Sequence, residues 1–413
     1  MGDSTGIWTS GVDVVARLRA AGHQAWLVGG CVRDRLLNRR LKDADVATSA
    51  EPDEVELLFP RTIAVGKAFG VIKVLPDDRT RSPDDRTTGR PDDRTRGNAP
   101  SHDRTRGNDV EVASLRADDR YIDGRRPVAV RRGTLQEDAE RRDLTVNALY
   151  ADPDGTIVDP VGGLADLRAR LLRGIGDPAA RLAEDRLRVV RVLRFAAVLG
   201  FAIEERTAAA VRDTAISGVA RERVLDELGK AAGGGGAGPF LRACAGHGQA
   251  AAVAPCADVE RAADILARLG AAPTDLALAA WLLPGGADAA DAWLAMQPVP
   301  GSWRRSIPWL IATAPHLGGL AVAERRRALR RPEGAALARL AAAIDPDRSA
   351  NYTAWAERDA NPEPCPVTAA DLLAAGHRPG PALGAALRRI EDAWLAGAAT
   401  DRAGLLRLAS DGP

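Results

Sequence analysis

Leu27-Val28-Gly29-Gly30-Cys31-Val32-Arg33-Asp34, followed shortly by Lys42-Asp43-Ala44-Asp45-Val46-Ala47-Thr48, is the stretch that decides the reading of this chain. An apolar run delivering two glycines to a helix start lets backbone N–H groups approach an anion, since no side chain blocks them and the helix dipole favours negative charge. Arg33 falls in the first turn of that helix. Asp43 and Asp45 stand two apart where a strand begins, so they share a face and can offer oxygen ligands to hard divalent cations. Phosphoryl-transfer sites require such a set.

Outward from this stretch, short β-like runs alternate with helical patterns: Ala25 to Val28, Val32 to Leu37, Asp45 to Thr48 and Pro52 to Leu58. The alternation predicts an α/β layer. Val71 to Leu75 and Asp109 to Ser114 read as two further strands. Residues 76–108 between them repeat Asp-Asp-Arg-Thr at 77, 84 and 92 and hold almost no apolar side chains. Such a segment cannot bury enough surface to offset its ordering entropy, and is expected to be a disordered decoration of the turn between neighbouring strands. Past Thr134 the pattern becomes helical, interrupted near Gly155 and by β-like runs at 156–159 and 171–173. After Pro178 it is almost wholly helical, and the glycine run 233–236 marks a boundary.

The composition narrows the function classes. A chain of 413 residues is long enough for two to four domains on a prior of about 100–200 residues each. Hydrophobic residues make up 46% and aromatics only 4%, which predicts helices packed through small side chains. With 57 basic against 56 acidic residues, no global field draws the chain to nucleic acid, so RNA contacts must come from local patches. No apolar stretch reaches the roughly 20 residues of a membrane span. Cys31, Cys244, Cys256 and Cys365 are scattered without paired spacing, and no secretory pattern opens the chain, which predicts a reducing cytoplasm. Cys244 and His247 lack a second pair for a zinc site.

The order Gly-Gly-x-Val-Arg-Asp, a leucine pair and Lys-Asp-x-Asp resembles the head of the polymerase β superfamily, specifically the class II CCA-adding enzyme and bacterial poly(A) polymerase family. The likeness continues through Phe69-Gly70-Val71 and Val110-Glu111-Val112, where it implies a third metal carboxylate at Glu111. The segment 118–127 is similar to the loop used in switching from C to A addition, which argues against a CC-only enzyme. Arg141-Arg142-Asp143-Leu144-Thr145-Val146-Asn147-Ala148 resembles the family's ribose-sensing segment, implying sugar and phosphate contacts for Arg142 and Asp143.

Glu184-Asp185-Arg186-Leu187-Arg188, with Arg191 and Arg194 beyond, is the sharpest match. On one helix, Asp185, Arg188, Arg191 and Arg194 would line a single face. The resemblance makes Asp185 and Arg188 a protein template for the incoming base. Cytosine and adenine each offer an amine beside a ring acceptor, which suits a carboxylate and a guanidinium, while uracil and guanine present the reverse pattern. Two mismatched contacts at roughly 1–3 kcal/mol each make a useful discriminator.

The implied architecture is α+β: a nucleotidyltransferase head with a small mixed sheet flanked by helices over 1–149, followed by an all-helical, base-recognising neck over 150–232 and an all-helical, tRNA-binding body and tail over 233–413. The implied reaction is template-independent addition of CCA to the tRNA 3′ end from CTP and ATP. Gly29, Gly30 and Arg33 hold the triphosphate, while Asp43, Asp45 and Glu111 hold Mg²⁺. A-adding, CC-adding and poly(A)-adding enzymes share this head, and a catalytically silent RNA-binding protein is the reading from another class.

Overall fold

In the computed structural model, residues 4–66, 70–75, 109–118, 130–359, 363–399 and 401–410 are described. The described chain divides into two units: residues 1–196 with 200–215, and residues 197–199 with 216–413.

The first unit is built on a sheet. Helix α1 (Ser4–Ala20) precedes β1 (Ala25–Val28), α2 (Gly30–Leu36), β2 (Ala44–Thr48), α3 (Pro52–Leu58), β3 (Thr62–Gly66), β4 (Val71–Val74) and β5 (Val110–Ser114). A hairpin of β6 (Arg116–Asp118) and β7 (Val130–Arg132), helix α4 (Leu135–Glu140), β8 (Tyr150–Ala151) and β9 (Ile157–Val158) follow. Seven strands join in the order β3-β4-β5-β2-β1-β8-β9, with β2 and β5 parallel and the other neighbours antiparallel. The α+β expectation is met. Because β4 and β5 are paired, residues 76–108 do join neighbouring strands, although they and Phe69 lie outside the described residues. The loop expected at 118–127 lies outside them too, apart from Asp118, which ends β6.

Glu51 caps α3 in a reciprocal box with Glu54, and Thr134 caps α4 in the same way with Glu137. Leu27, Ala44, Val46, Ile72, Leu149 and Tyr150 are fully or almost fully buried. That burial fixes strand register, since a slip of one residue would exchange the two faces of the sheet. The sheet extends past residue 149 through β8 and β9. Helix α5 (Gly163–Ala169), β10 (Leu171–Leu172), α6 (Pro178–Glu184), α7 (Leu187–Leu199), β11 (Ala202–Ile203) and α8 (Glu205–Asp213) then follow. Strands β10 and β11 pair in parallel, so the stretch 150–232 is not all helical.

The second unit is helical among its described residues, as expected. Its helix Arg221–Gly233 ends at the glycine run. Small side chains allow close packing there: a Cβ on Gly238 would lie 2.5 Å from the Ala263 carbonyl oxygen. Helix Thr274–Leu282 buries Leu276 through Leu282, the pattern of a central helix. Trp281 is fully buried against Phe240, with ring centroids 6.0 Å apart, and its indole N–H donates to the Ala254 carbonyl at 3.1 Å. Cys244 is buried, so the Cys-Ala-Gly-His run belongs to the packing of this unit. A separate cluster of Val367, Leu372, Ala386, Ile390 and Leu405 organises the last three helices. No helix among the described residues is long and apolar enough to cross a membrane.

Candidate active site

The chain leaves β1 through Gly29, whose N–H donates to the Leu149 carbonyl at 2.9 Å and whose φ of 75° suits glycine. Helix α2 starts at the next residue, as expected. A Cβ at position 29 would meet Arg142 Nη1 at 3.4 Å and the Asn147 carbonyl oxygen at 3.6 Å. Both are ordinary contact distances, so the cost lies in the backbone: Gly29→Ala is expected to lower kcat/KM about tenfold through a strain of roughly 1–2 kcal/mol at the start of α2. Gly155→Ala is the control: it shares a positive φ of 90° but meets nothing within 4 Å, and should alter the melting temperature without altering kinetics.

Parallel pairing of β2 with β5 sets Asp45 directly opposite Glu111, so the two side chains emerge on the same face of the sheet. Asp43 immediately precedes β2. Burial pushes the Asp45 carboxyl up to about 7, helped by the charges of Asp43 and Glu111 and opposed by Arg142 and Arg33. Burial and Asp43 also raise Glu111, against the pull of Lys73, which faces it from β4. The three predicted carboxylates are thus brought into one electrostatic group. Asp45 and Glu111 border a cavity of about 210 Å³ that Ser114, Arg116, Arg141 and Arg142 also line.

No group of three His, Cys, Asp or Glu among the described residues forms a metal-holding set as it stands. The donor chemistry nevertheless suits a hard divalent cation. Burial and neighbouring negative charge raise the proton affinity of Asp45 and Glu111, a penalty that such an ion would relieve.

The predicted nucleotide-binding arginines are tied into a buried network. Arg33, 7% exposed, donates to Asn147 Oδ1, pairs with Asp34 at 2.8 Å and places its guanidinium 5.0 Å from the Phe195 ring. Arg142 pairs with Asp138 at 3.0 Å, and the Tyr150 hydroxyl donates to the same Asp138 oxygen at 2.7 Å. Asp143 accepts from the Leu144 N–H at 2.9 Å and from Asn147 Nδ2 at 3.0 Å, while its other oxygen takes Arg191 at 2.7 Å. Burial alone would raise Asp143, but Arg191, Asn147 and Arg188 outweigh it and hold its carboxyl well below the usual range. Arg194 stacks on Phe195 at 4.0 Å.

The sequence expectation of a continuous helix through Glu184 and Arg188 is corrected. Helix α6 ends at Glu184, and Asp185 adopts an extended conformation (φ −144°, ψ 101°). Its side chain accepts from the Leu187 N–H at 3.1 Å, so it satisfies an exposed donor at the start of α7. Short polar side chains favour such local capping over a helical interior, which is why the helix breaks there. Arg188 consequently pairs with Glu184 at 2.7 Å and donates to the Arg181 and Arg141 carbonyls at 2.8 and 2.9 Å. The single face expected for Asp185, Arg188, Arg191 and Arg194 is interrupted at its first member. Asn147, to which the sequence reading gave no role, joins Arg33 to Asp143.

Comparison with protein-family models matches residues 25–173 to the poly A polymerase head domain. The matched stretch contains the glycine turn, the three carboxylates and the Arg141–Asn147 segment. Among curated relatives, the CCA-adding enzyme of Bacillus velezensis is 41% identical over 199 residues, 48% of this chain and 43% of that protein. The CCA-adding enzyme of Bacillus licheniformis is 36% identical over 245 residues, 59% of this chain and 54% of that one. The chain spans about half the length of the curated relatives it matches. In three dimensions it resembles the Bacillus stearothermophilus CCA-adding enzyme solved in complex with CTP, with a TM-score of 0.76 at 25% identity, covering 99% of this chain and 98% of that one. The Thermotoga maritima CCA-adding enzyme complexed with tRNA shares the fold, with a TM-score of 0.66 at 16% identity over 97% and 94% of the two chains.

Proposed function

We propose that this protein adds C and A residues to the 3′ end of tRNA without a nucleic-acid template, drawing on CTP and ATP. The observation that carries the reading is the register of Asp45 with Glu111, with Asp43 beside them, inside a poly A polymerase head.

In this reading the Gly29–Gly30 turn and Arg33 take the triphosphate, and Arg142 faces the carboxylates across the cavity. The terminal 3′-oxygen of tRNA attacks the α-phosphorus; a new P–O bond forms as the bond to the β-phosphate oxygen breaks, and pyrophosphate leaves. Asp43, Asp45 and Glu111 would hold Mg²⁺, which when bound neutralises phosphate charge and favours ionisation of the 3′-OH. Arg188, fixed by three acceptors, and Asp185 select the base. Arg191 and Arg194 support them from α7, and Asp143 places Arg191. Residues 1–149 then carry the chemistry, 150–232 the base recognition and 233–413 the hold on tRNA. The four free cysteines suit a reducing cytoplasm.

Incubation with labelled nucleotides and tRNA lacking its 3′ CCA tests this. Label from CTP and ATP is expected to enter the tRNA, and label from UTP or GTP is not. Chelating divalent metal should reduce incorporation to background, and added Mg²⁺ should restore it. Incorporation unaffected by chelation would refute the carboxylate assignment.

A further inference from the structure

Asn147 stands at the centre of a buried relay that crosses the first unit. Its side-chain oxygen accepts from Arg33 Nη1 on α2, and its amide nitrogen donates to Asp143 Oδ1 at 3.0 Å. The opposite oxygen of Asp143 takes Arg191 on α7 at 2.7 Å. The relay closes on itself, because Arg33 and Arg191 both approach the ring of Phe195, at 5.0 and 5.5 Å. Asn147 is 6% exposed and Asp143 8%, so neither bond competes with bulk water.

An amide accepts from a guanidinium through its oxygen and donates to a carboxylate through its nitrogen, two separate atoms that can serve the two partners at once. A carboxylate in its place would face Asp143 with like charge, and an amine or guanidinium would face Arg33. The segment Thr145–Asn147 forms a short 3₁₀ turn, and the Asn147 N–H donates to the Leu144 carbonyl at 3.0 Å, which fixes where the amide points.

Resting on the CCA-adding reading, we propose that Asn147 is a positioning residue which places the triphosphate-side Arg33 and the base-side Arg191 in one fixed relation, so that grip on the nucleotide and choice of base depend on the same side chain. Asn147 bonds to none of Asp43, Asp45 and Glu111 and touches no reacting atom in this scheme. Its loss should therefore appear in nucleotide affinity and selectivity before it appears in turnover.

The test uses the full chain with Asn147→Ala and Asn147→Asp. CTP and UTP binding are measured by equilibrium titration, KM and kcat for C addition are measured separately, and all assays run well below each variant's melting temperature. Asn147→Ala is expected to weaken CTP binding and raise KM about tenfold, the size of a lost hydrogen bond to a charged group. The preference for CTP over UTP should narrow, while kcat stays within about threefold. Asn147→Asp keeps an acceptor for Arg33 but sets a like charge against Asp143, so it should retain more affinity than Asn147→Ala while losing at least as much selectivity. Folded variants with unchanged CTP affinity and selectivity would overturn the proposal, leaving Asn147 a structural residue. A wild-type chain that binds no nucleotide would overturn both this proposal and the functional reading beneath it.

Discussion

Asp45→Asn is expected to reduce nucleotide incorporation by roughly 10³-fold or more while making the metal-free protein more stable at pH 8. Both effects have one origin. Asp45 is held beside Asp43 and Glu111 in a partly dehydrated cavity, and its carboxyl is pushed up to about 7. Removing a group that positions and neutralises charge in phosphoryl transfer removes stabilisation that substrate binding cannot replace. The stability effect follows from linkage. A carboxyl whose folded pKa is raised holds its proton more tightly in the native state, so stability falls as pH rises from about 4, the unfolded value, to about 7. Asparagine has no charge to lose. Its advantage should be absent below about pH 4, grow through that window and level off above pH 7. At about 1.4 kcal/mol per unit before screening, the gain should reach a few degrees of melting temperature. Thermal melts of both proteins from pH 4 to 8 check this, and Mg²⁺ should raise the wild-type Tm at pH 8 but leave the variant nearly unmoved. A wild-type protein as stable as Asp45→Asn across that range would show that the three carboxylates do not repel one another.

Asp143→Ala should be the most damaging single change to the fold of the first unit. The carboxylate is 8% exposed and joins Arg191, the Leu144 N–H and the Asn147 amide. Truncation leaves the buried Leu144 N–H and Asn147 amide unsatisfied and takes the partner from a partly exposed Arg191, at about 2–4 kcal/mol in all. The pH dependence has the opposite sign to that of Asp45. Because the folded carboxyl is held low, its contribution is fully present above about pH 4 and is lost as pH falls further. The gap between wild type and Asp143→Ala in urea unfolding should therefore be wide at pH 7 and narrow towards pH 3. Base selection should fail as well, since Arg191 loses its anchor. A loss below about 1 kcal/mol at pH 7 would indicate that Arg191 finds another partner.

The part of the site that is local in sequence is the part the sequence reveals. Gly29, Gly30, Asp43 and Asp45 lie on consecutive elements whose alternation of apolar and polar residues reads directly as strand, turn, helix and strand. Glu111 could be assigned only by resemblance, because the parallel register that brings it to Asp45 spans the long 76–108 segment. Strands β3, β6, β7, β8 and β11 are not legible in the sequence; all but β3 are two or three residues long and are held by neighbours rather than by their own pattern. The break at Asp185 was hidden because charged residues at helical spacing continue on both sides of it, and only the capping bond to Leu187 shows that the helix stops. Asn147 lies in the segment that carries the resemblance, but nothing in its neighbourhood singles it out. Its role in the fold depends on Arg33, distant by 114 positions, and on Asp143, whose partner Arg191 is 48 positions further on. Contacts of that separation are written in the assembled core rather than in any window of sequence.

The most direct measurement is to sequence the 3′ ends of tRNA after incubation with the purified chain, Mg²⁺ and all four nucleotides, starting from acceptors that end at the discriminator base, at C and at CC. Completion of CCA on all three, with no U or G incorporated, is the predicted result. Addition of A to the CC-ended acceptor alone, long A tails, or no extension of any acceptor would contradict it.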